Sequence, residues 1–273
     1  MGGAERAERQ RRQRAIQAAK RAGQPPADGG RGGGGAGGAR RGVYVALIVV
    51  AVLVAAVAGG LLWQRSRSGP GPAQATPVTA EFPVALRDGV VVAGEDTAKV
   101  TVDVYEDFLC PACGSFERRD GAAIEDALAA GTIQVRYHVV NILDDLSNPA
   151  GYSTDAGNAA LCAAEADQFA GYHASLFADQ PREGGRGYSD DQLVQLGRDL
   201  GITGAAFETC VRTGAHDADV RAQEQAAAAD ESLVRDFPDG RRGFATPTIV
   251  IDGKIVDLGD SSAWLTDAVA AAG

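Results

Sequence analysis

Three stretches of the chain show the residue pattern of β-strands. Over residues 98–108, AKVTVDVYEDF, three valines alternate with polar side chains, and a period of two residues predicts a strand with one buried face. The β-branched run TIQVRYHVVNI at 132–142 predicts a second strand. In TPTIVIDGKIVDL, residues 246–258, two further runs flank Asp252 and Gly253, a pair that is typical of a tight β-hairpin turn.

Helical patterns fill the intervening and final parts of the chain. A proline suited to the first helical position follows Cys110 in CPACGSFERRDGAAIEDALAA, and the segment continues as an amphipathic helix. Alanine-rich helical segments without strand character occupy about residues 150–235, and SSAWLTDAVAAA predicts a final helix. The order of these elements predicts an α/β domain over residues 79–273 with an inserted helical subdomain.

A continuous apolar run, VYVALIVVAVLVAAVAGGLLW, precedes the domain at residues 43–63 and contains 21 residues without a charge. A helix of this length spans about 30 Å, the thickness of the hydrocarbon core of a bilayer. A cleaved signal peptide is the alternative, because residues 56–58 resemble a cleavage site, but apolar residues continue beyond them. We therefore expect a single transmembrane helix, with the N-terminus in the cytoplasm and the domain outside.

Charge divides the chain into two regions of opposite sign. The leader, residues 1–42, carries ten basic and three acidic residues and is glycine-rich, so we expect a disordered basic cytoplasmic segment. A Gly/Pro/Ser-rich stretch at 64–78 predicts a flexible linker. From Thr76 onward, 14 basic residues stand against 33 acidic ones, a net charge of −19. This balance argues against a nucleic-acid-binding surface on the domain.

The stretch EDFLCPACGSFE holds the clearest candidate chemistry, a pair of cysteines at positions 110 and 113. A thiol at a helix N-terminus ionises readily, which favours Cys110 as the attacking sulfur, while Cys113 in the first turn is more shielded. A metal site normally needs four ligands, and the remaining cysteines and histidines show no paired ligand spacing. A structural crosslink over two residues would restrict the unfolded chain very little. We therefore favour redox exchange and predict no metal.

Together, YEDFLCPACGSFE after a strand and FATPTIVIDG some 135 residues later resemble the thioredoxin superfamily. Over about residues 80–273 the chain is similar to the membrane-anchored DsbA-type thiol:disulfide oxidoreductases of actinobacteria. The resemblance implies a thioredoxin-like fold with an inserted helical subdomain. It also implies an extracytoplasmic enzyme that introduces disulfides into secreted proteins through Cys110 and Cys113, without a cofactor.

Two further features follow from this resemblance. It implies a cis peptide bond between Thr246 and Pro247 that faces the cysteines and binds the substrate chain; a trans proline at the start of an edge strand is the alternative. It also implies a structural disulfide between Cys162 and Cys210, and leftover cysteines outside the cytoplasm commonly pair. Two buried free thiols remain the alternative for that pair.

The chain departs from the family pattern at two positions. Ala112 stands where many DsbA proteins have histidine, and Val104 stands where relatives of thioredoxin often have a buried acid. Glu106 and Asp107 lie close by in sequence, either as groups that assist proton transfer or as solvated loop acids. These departures leave the direction of electron transfer open.

The resemblance implies two classes of partner. The substrates are reduced secreted or membrane proteins, and the reoxidising partner is a quinone-coupled membrane enzyme of the DsbB or vitamin K epoxide reductase type. A reductase or isomerase on the same fold is the nearest alternative. A metal-binding chaperone and a docking module without catalytic activity are alternatives from other functional classes.

Overall fold

The structure is a computed structural model that describes residues 50–60, 69–259 and 262–272. Residues 50–60 are helical, and their large apolar side chains are exposed, at 55–62%. Within the described ranges, no helix combines the length and the apolar character needed to cross a bilayer.

Several predictions fall wholly or partly outside the described ranges. The basic leader, residues 1–42, lies outside them, as do residues 43–49 and 61–63 of the predicted transmembrane helix and residues 64–68 of the predicted linker. The membrane anchor therefore stays a prediction.

The folded domain is built from short strands and a larger number of helical residues. Its strands are β1 (Val84–Arg87), β2 (Val90–Ala93), β3 (Val100–Glu106), β4 (Ile133–Val139), β5 (Arg235–Asp236), β6 (Arg242–Gly243), β7 (Thr248–Ile251) and β8 (Lys254–Ile255). Its α-helices are α1 (Pro111–Ala129), α2 (Tyr152–Glu165), α3 (Phe169–Ala178), α4 (Asp190–Asp199), α5 (Ala205–Thr213), α6 (Asp217–Ala229) and α7 (Ala263–Ala272). Two short 3₁₀ helices lie at Asp144–Leu146 and Glu231–Leu233.

A six-stranded sheet in the order β1-β2-β4-β3-β7-β8 forms the centre of the domain. Strands β3 and β4 are parallel, and each other neighbouring pair is antiparallel. Along β3, residues 100, 102, 104 and 106 are buried and the residues between them are partly exposed, as the alternating pattern predicts. The predicted hairpin is confirmed as β7 and β8, with positive φ angles at Asp252 and Gly253.

A second hairpin, β1 and β2, was missing from the sequence-based prediction. Its turn is Asp88-Gly89, and both residues have positive φ angles, 52° and 76°. The segment VALRDGVVVA thus carries the same Asp-Gly signal as the predicted hairpin. It extends the sheet by two strands beyond β4.

The predicted helical insertion is present as helices α2 to α6, which lie between β4 and β5 in the chain. Residues of these helices form much of the buried core, including Leu161, Tyr172 and Leu193. A disulfide joins Cys162 of α2 to Cys210 of α5, with the two Cα atoms 5.9 Å apart. The alternative of two free thiols at these positions is therefore wrong.

The segment before β1, residues 69–83, lies against the helical insertion, and we call it the N-terminal arm. Ala73 is buried, and the backbone N–H of Thr76 donates to Ser175 Oγ at 2.8 Å. The side chain of Gln192 donates to the backbone carbonyls of residues 70 and 71. Within the linker predicted over 64–78, the backbone groups of residues 70, 71 and 76 thus hydrogen-bond to side chains of the domain.

Candidate active site

The cysteine pair lies where β3 ends and α1 begins. Cys110 is the N-cap of α1, with extended backbone angles, and Pro111 occupies the first helical position. Both cysteines are free thiols in this structure. Cys110 retains 6% exposure, whereas Cys113 is fully buried in the first turn behind it. Of the two cysteines, only Cys110 keeps any contact with solvent.

The surroundings shift the two thiols in opposite directions. The pKa of Cys110 is lowered to about 6, chiefly by the hydrogen bond from the Cys113 thiol. The side chain of Thr246 and the backbone N–H groups of the first helical turn lower it further, against the effect of burial. Burial raises the pKa of Cys113 well above its usual value. At neutral pH this arrangement favours a thiolate at Cys110 and a neutral thiol at Cys113.

The loop before β7 forms the opposite side of the site. The Thr246–Pro247 peptide bond is cis, as the resemblance implied, and the Thr246 carbonyl oxygen lies 3.5 Å from the Cys110 sulfur. Arg235 Nη2 donates to the carbonyl of Ala245 at 2.9 Å and to that of Pro247 at 3.3 Å. A groove of about 390 Å³ runs beside this loop, lined by Arg235, Pro247 and residues 255–259.

Glu106 lies in a buried acidic cluster below the cysteines. The Glu106 carboxylate hydrogen-bonds to Nε2 of His173 and to the side chain of Glu117, a residue of α1. Glu106 and His173 are buried; Glu117 is half-buried as a residue, but its Oε1 is fully enclosed. Among the described residues, Glu106 Oε2 and Glu117 Oε1 have no N–H or O–H donor, so the hydrogen bond between the two carboxyl groups requires that one of them is protonated. The reading of Glu106 as a solvated loop acid is therefore wrong.

This cluster holds protons at neutral pH. Burial raises the pKa of Glu106 to about 8, and burial together with the charge of Glu106 raises that of Glu117 to about 8. Burial lowers the pKa of His173, so its imidazole favours the neutral form. The charge on Glu106 in turn contributes to the raised pKa of Cys113. The proton state of the cluster is thus electrostatically linked to the buried cysteine.

Asp107 also is buried, but its carboxylate is engaged by the surrounding chain. It accepts hydrogen bonds from the backbone N–H groups of Leu109 and Leu143, at 2.7 and 2.9 Å, and from Ser153 Oγ at 2.7 Å. Burial raises its pKa to about 6 despite these bonds. The solvated alternative is wrong here too. These contacts indicate that Asp107 holds the loop before the cysteines in place. Of the two acids considered for proton transfer, Glu106 is therefore the remaining candidate.

Four functional candidates were not identified from the sequence. Glu117 follows Cys113 by four residues, a spacing that places both on one face of a helix and that would have indicated it. His173, Gln180 and Arg235 come from distant parts of the chain, and only the fold brings them to the site.

Two clusters of side chains resemble the ligand sets of metal sites, and neither is the cysteine pair. In the described part of the chain, His/Cys/Asp/Glu clusters occur at Glu106 with Glu117 and His173, and at the Cys162–Cys210 disulfide with His216. Neither cluster includes Cys110 or Cys113. The arrangement around the pair is instead suited to thiol–disulfide exchange, because one thiol is activated and a second lies behind it.

Sequence comparison places this fold among known proteins. A sequence model of the family described as thioredoxin matches residues 87–270. The serine/threonine-protein kinase PknE of Mycobacterium tuberculosis is 34% identical over 186 residues, which cover 66% of this chain and 31% of that protein. The chain thus spans about a third of the length of this curated relative.

Comparison of structures identifies similar folds in actinobacteria. The reduced disulfide bond oxidoreductase DsbG of M. tuberculosis is 29% identical, with a TM-score of 0.54 over 74% of this chain and 94% of that chain. Oxidised DsbA of M. tuberculosis is 28% identical, with a TM-score of 0.51 over 71% of this chain and all of that chain. The thiol-disulfide oxidoreductase MdbA of Corynebacterium diphtheriae is 25% identical, with a TM-score of 0.57 over 71% and 96%.

The family match covers strands β2 to β8, the cysteine pair and the cis-proline loop, and it extends over more than half of the chain. The chain belongs to the thioredoxin family.

Proposed function

We propose that this protein is a thiol–disulfide oxidoreductase of the DsbA kind that introduces disulfides into secreted proteins. One observation carries the proposal: Cys110, which keeps 6% exposure and has a lowered pKa, lies beside the Thr246 carbonyl and accepts a hydrogen bond from the fully buried Cys113 thiol. This arrangement supplies an activated sulfur, a second sulfur for the internal disulfide and a backbone acceptor for a substrate chain.

The reaction consists of two exchange steps. A substrate thiolate attacks the Cys110 sulfur of the oxidised Cys110–Cys113 pair; a mixed disulfide forms and Cys113 leaves with the electron pair. A second substrate thiolate then attacks the substrate sulfur of the mixed disulfide and releases Cys110 as a thiolate. The substrate gains one disulfide, and the enzyme gains two electrons.

The environment of Cys110 favours this direction. A thiol of low pKa leaves readily, and a thiolate that the protein stabilises favours the reduced enzyme, which makes the oxidised enzyme a stronger oxidant. In this protein the Cys110 pKa of about 6 results from hydrogen bonds to the thiolate.

Cys113 needs a proton when it leaves, and Glu106 is suited to exchange one with it. Glu106 has a raised pKa of about 8, so it holds a proton at neutral pH. It hydrogen-bonds to Glu117 and His173, which extend the store of exchangeable protons. We assign this cluster the role that the family often gives to a buried acid at the position of Val104.

The proposal includes a location and a partner. The uncharged run at 43–63, with exposed apolar side chains over residues 50–60, supports a single-pass anchor in the cell membrane, and the basic leader supports a cytoplasmic N-terminus. A tethered domain would meet a quinone-coupled membrane enzyme, of the DsbB or vitamin K epoxide reductase type, at a raised effective concentration. Such an enzyme would restore the Cys110–Cys113 disulfide after each turnover.

The direct test uses the full chain in detergent and a reduced peptide with two cysteines. We expect Cys110→Ser to abolish oxidation of the reduced peptide. We expect Cys113→Ser, mixed with the disulfide form of the same peptide, to form a mixed disulfide detectable by mass spectrometry, because the Cys110 thiolate displaces one peptide thiolate and no Cys113 thiol is present to release the peptide. Undiminished oxidation by the Cys110→Ser protein would disprove the assignment.

The direction of electron transfer has its own test. Equilibration with glutathione gives the reduction potential of the Cys110–Cys113 pair. We expect a potential well above the value for thioredoxin, roughly −270 mV. A value as low as that of thioredoxin would indicate a reductase.

A further inference from the structure

A glutamine of the helical insertion reaches the cysteine motif from about 70 residues away in the chain. Gln180 follows α3, and its Nε2 donates to the carbonyl of Cys110 at 2.8 Å and to that of Phe108 at 3.0 Å. Both hydrogen atoms of the amide nitrogen therefore have an acceptor in the segment that carries the reactive sulfur.

The first turn of α1 accommodates this amide through a glycine. The Cys110 carbonyl also accepts a hydrogen bond from the backbone N–H of Gly114 at 3.1 Å. It therefore accepts two hydrogen bonds, one from its own helix and one from Gln180. A Cβ atom on Gly114 would lie 2.4 Å from Oε1 of Gln180 and 3.1 Å from its Cδ, and 3.0 Å from Nη1 of Arg118, the far end of an exposed, flexible side chain. Residue 114 thus has no room for a larger side chain while the Gln180 amide keeps its place.

We propose that Gln180 is a positioning residue for thiol exchange, which holds the backbone on both sides of Leu109 so that the Cys110 sulfur stays beside Thr246. This inference rests on the proposed function. Backbone N–H groups of the first helical turn contribute to the lowered pKa of Cys110, and the two hydrogen bonds from Gln180 hold the backbone that places these groups beside the sulfur. The same bonds fix the direction from which a substrate sulfur approaches.

Substitution of Gln180 would have different effects if its hydrogen bonds only connected the helical insertion to α1. It would change the free energy of unfolding and leave the ionisation of Cys110 unaltered. The position of the Gln180 amide next to the N-cap predicts an effect on both the ionisation and the exchange rate.

The experiment is a double-mutant cycle in the full chain. Gln180→Ala removes the donor, and Gly114→Ala displaces it by the added methyl group. For each variant, the ultraviolet absorbance of the Cys110 thiolate is followed against pH, and the rate of exchange with glutathione disulfide is measured. We expect each single variant to raise the Cys110 pKa and to slow exchange about tenfold, the equivalent of two hydrogen bonds of ordinary strength.

The double variant is the decisive member of the cycle. If Gly114→Ala acts by displacing the amide, it should have no further effect in the Gln180→Ala protein. Gln195→Ala is the matched control, because Gln195 is an exposed glutamine of α4 that hydrogen-bonds to Asp199 on its own helix. We expect this control to exchange at the wild-type rate.

Each result supports or overturns the inference. The inference is overturned if each single variant exchanges with glutathione disulfide within about twofold of the wild-type rate, which is the range of ordinary surface substitutions. It is also overturned if Gly114→Ala still slows exchange in the Gln180→Ala protein. If Gln180→Ala does not fold, Gln180→Met keeps the side-chain length and replaces it in the cycle. An active wild-type protein with unchanged variants refutes the positioning role alone, whereas an inactive wild-type protein refutes the proposed function.

Discussion

Replacing Glu106 with glutamine tests the buried acidic cluster directly. The substitution keeps the shape of the side chain and its ability to hydrogen-bond to His173 and Glu117, but it removes one titrating group. Burial raises the pKa of Glu106 from 4.5 to about 8. Between these two pH values the folded protein keeps a proton that the unfolded chain has lost.

The sign and size of the pH effect follow from this difference. The stabilisation from the protonated carboxyl is fully present below pH 4.5 and is lost as the pH rises through about 8. One extra proton on the folded state changes the free energy of unfolding by about 1.4 kcal/mol per pH unit. The ionisation of Cys110 acts in the opposite direction above its pKa of about 6. Comparing variants at the same pH removes that common contribution.

The measurement is urea unfolding of the wild-type and Glu106→Gln proteins at pH 5 and pH 7. We expect the variant to gain stability relative to wild type by about 1.4 kcal/mol for each pH unit between these values. Glu95→Gln, at an exposed position, is the matched control and should show no such trend. A difference between variant and wild type that is the same at both pH values would refute the assignment of a bound proton to Glu106.

Three further predictions concern the thiols and the core. Cys113→Ala should raise the pKa of Cys110 above 6, because it removes the thiol that is the main donor to the thiolate, and titration of the thiolate absorbance measures this. Replacing Cys162 and Cys210 together with alanine should lower the free energy of unfolding by about 4 kcal/mol in denaturant titrations, since their crosslink closes a long loop. Phe108→Ala should cost about 3–5 kcal/mol in the same assay, because the ring is fully buried. An unchanged pKa of Cys110, or an unchanged free energy of unfolding in either of the other two variants, would contradict the interaction that the substitution removes.

Local patterns were sufficient to predict the elements that carry the cysteine motif. The alternation along β3 and the proline at the start of α1 are properties of adjacent residues, so the sequence indicated both elements and the N-cap position of Cys110. The hairpin of β7 and β8 followed from Asp252-Gly253 in the same way. The hairpin of β1 and β2 carries an equal local signal at Asp88-Gly89.

Long-range contacts account for what the sequence did not indicate. Arg235 and Gln180 donate hydrogen bonds to backbone carbonyls, and every side chain with an N–H or O–H group has the chemistry to do so. Their roles depend on where the insertion folds back onto the sheet. Likewise, the composition of residues 69–78 is that of a linker, and only contacts with the helical insertion distinguish the N-terminal arm from a free tether.

The alternation of β3 has a consequence for the search for proton-handling residues in related sequences. Positions 102, 104 and 106 share one face of the strand, and each step of two residues moves a side chain about 6.6 Å along it without changing the face. An acid displaced from position 104 to position 106 still points beneath α1, yet it falls in a different column of a sequence alignment. Relatives that lack the acid in the expected column should therefore be inspected at each inward-facing position of this strand before the function is judged lost.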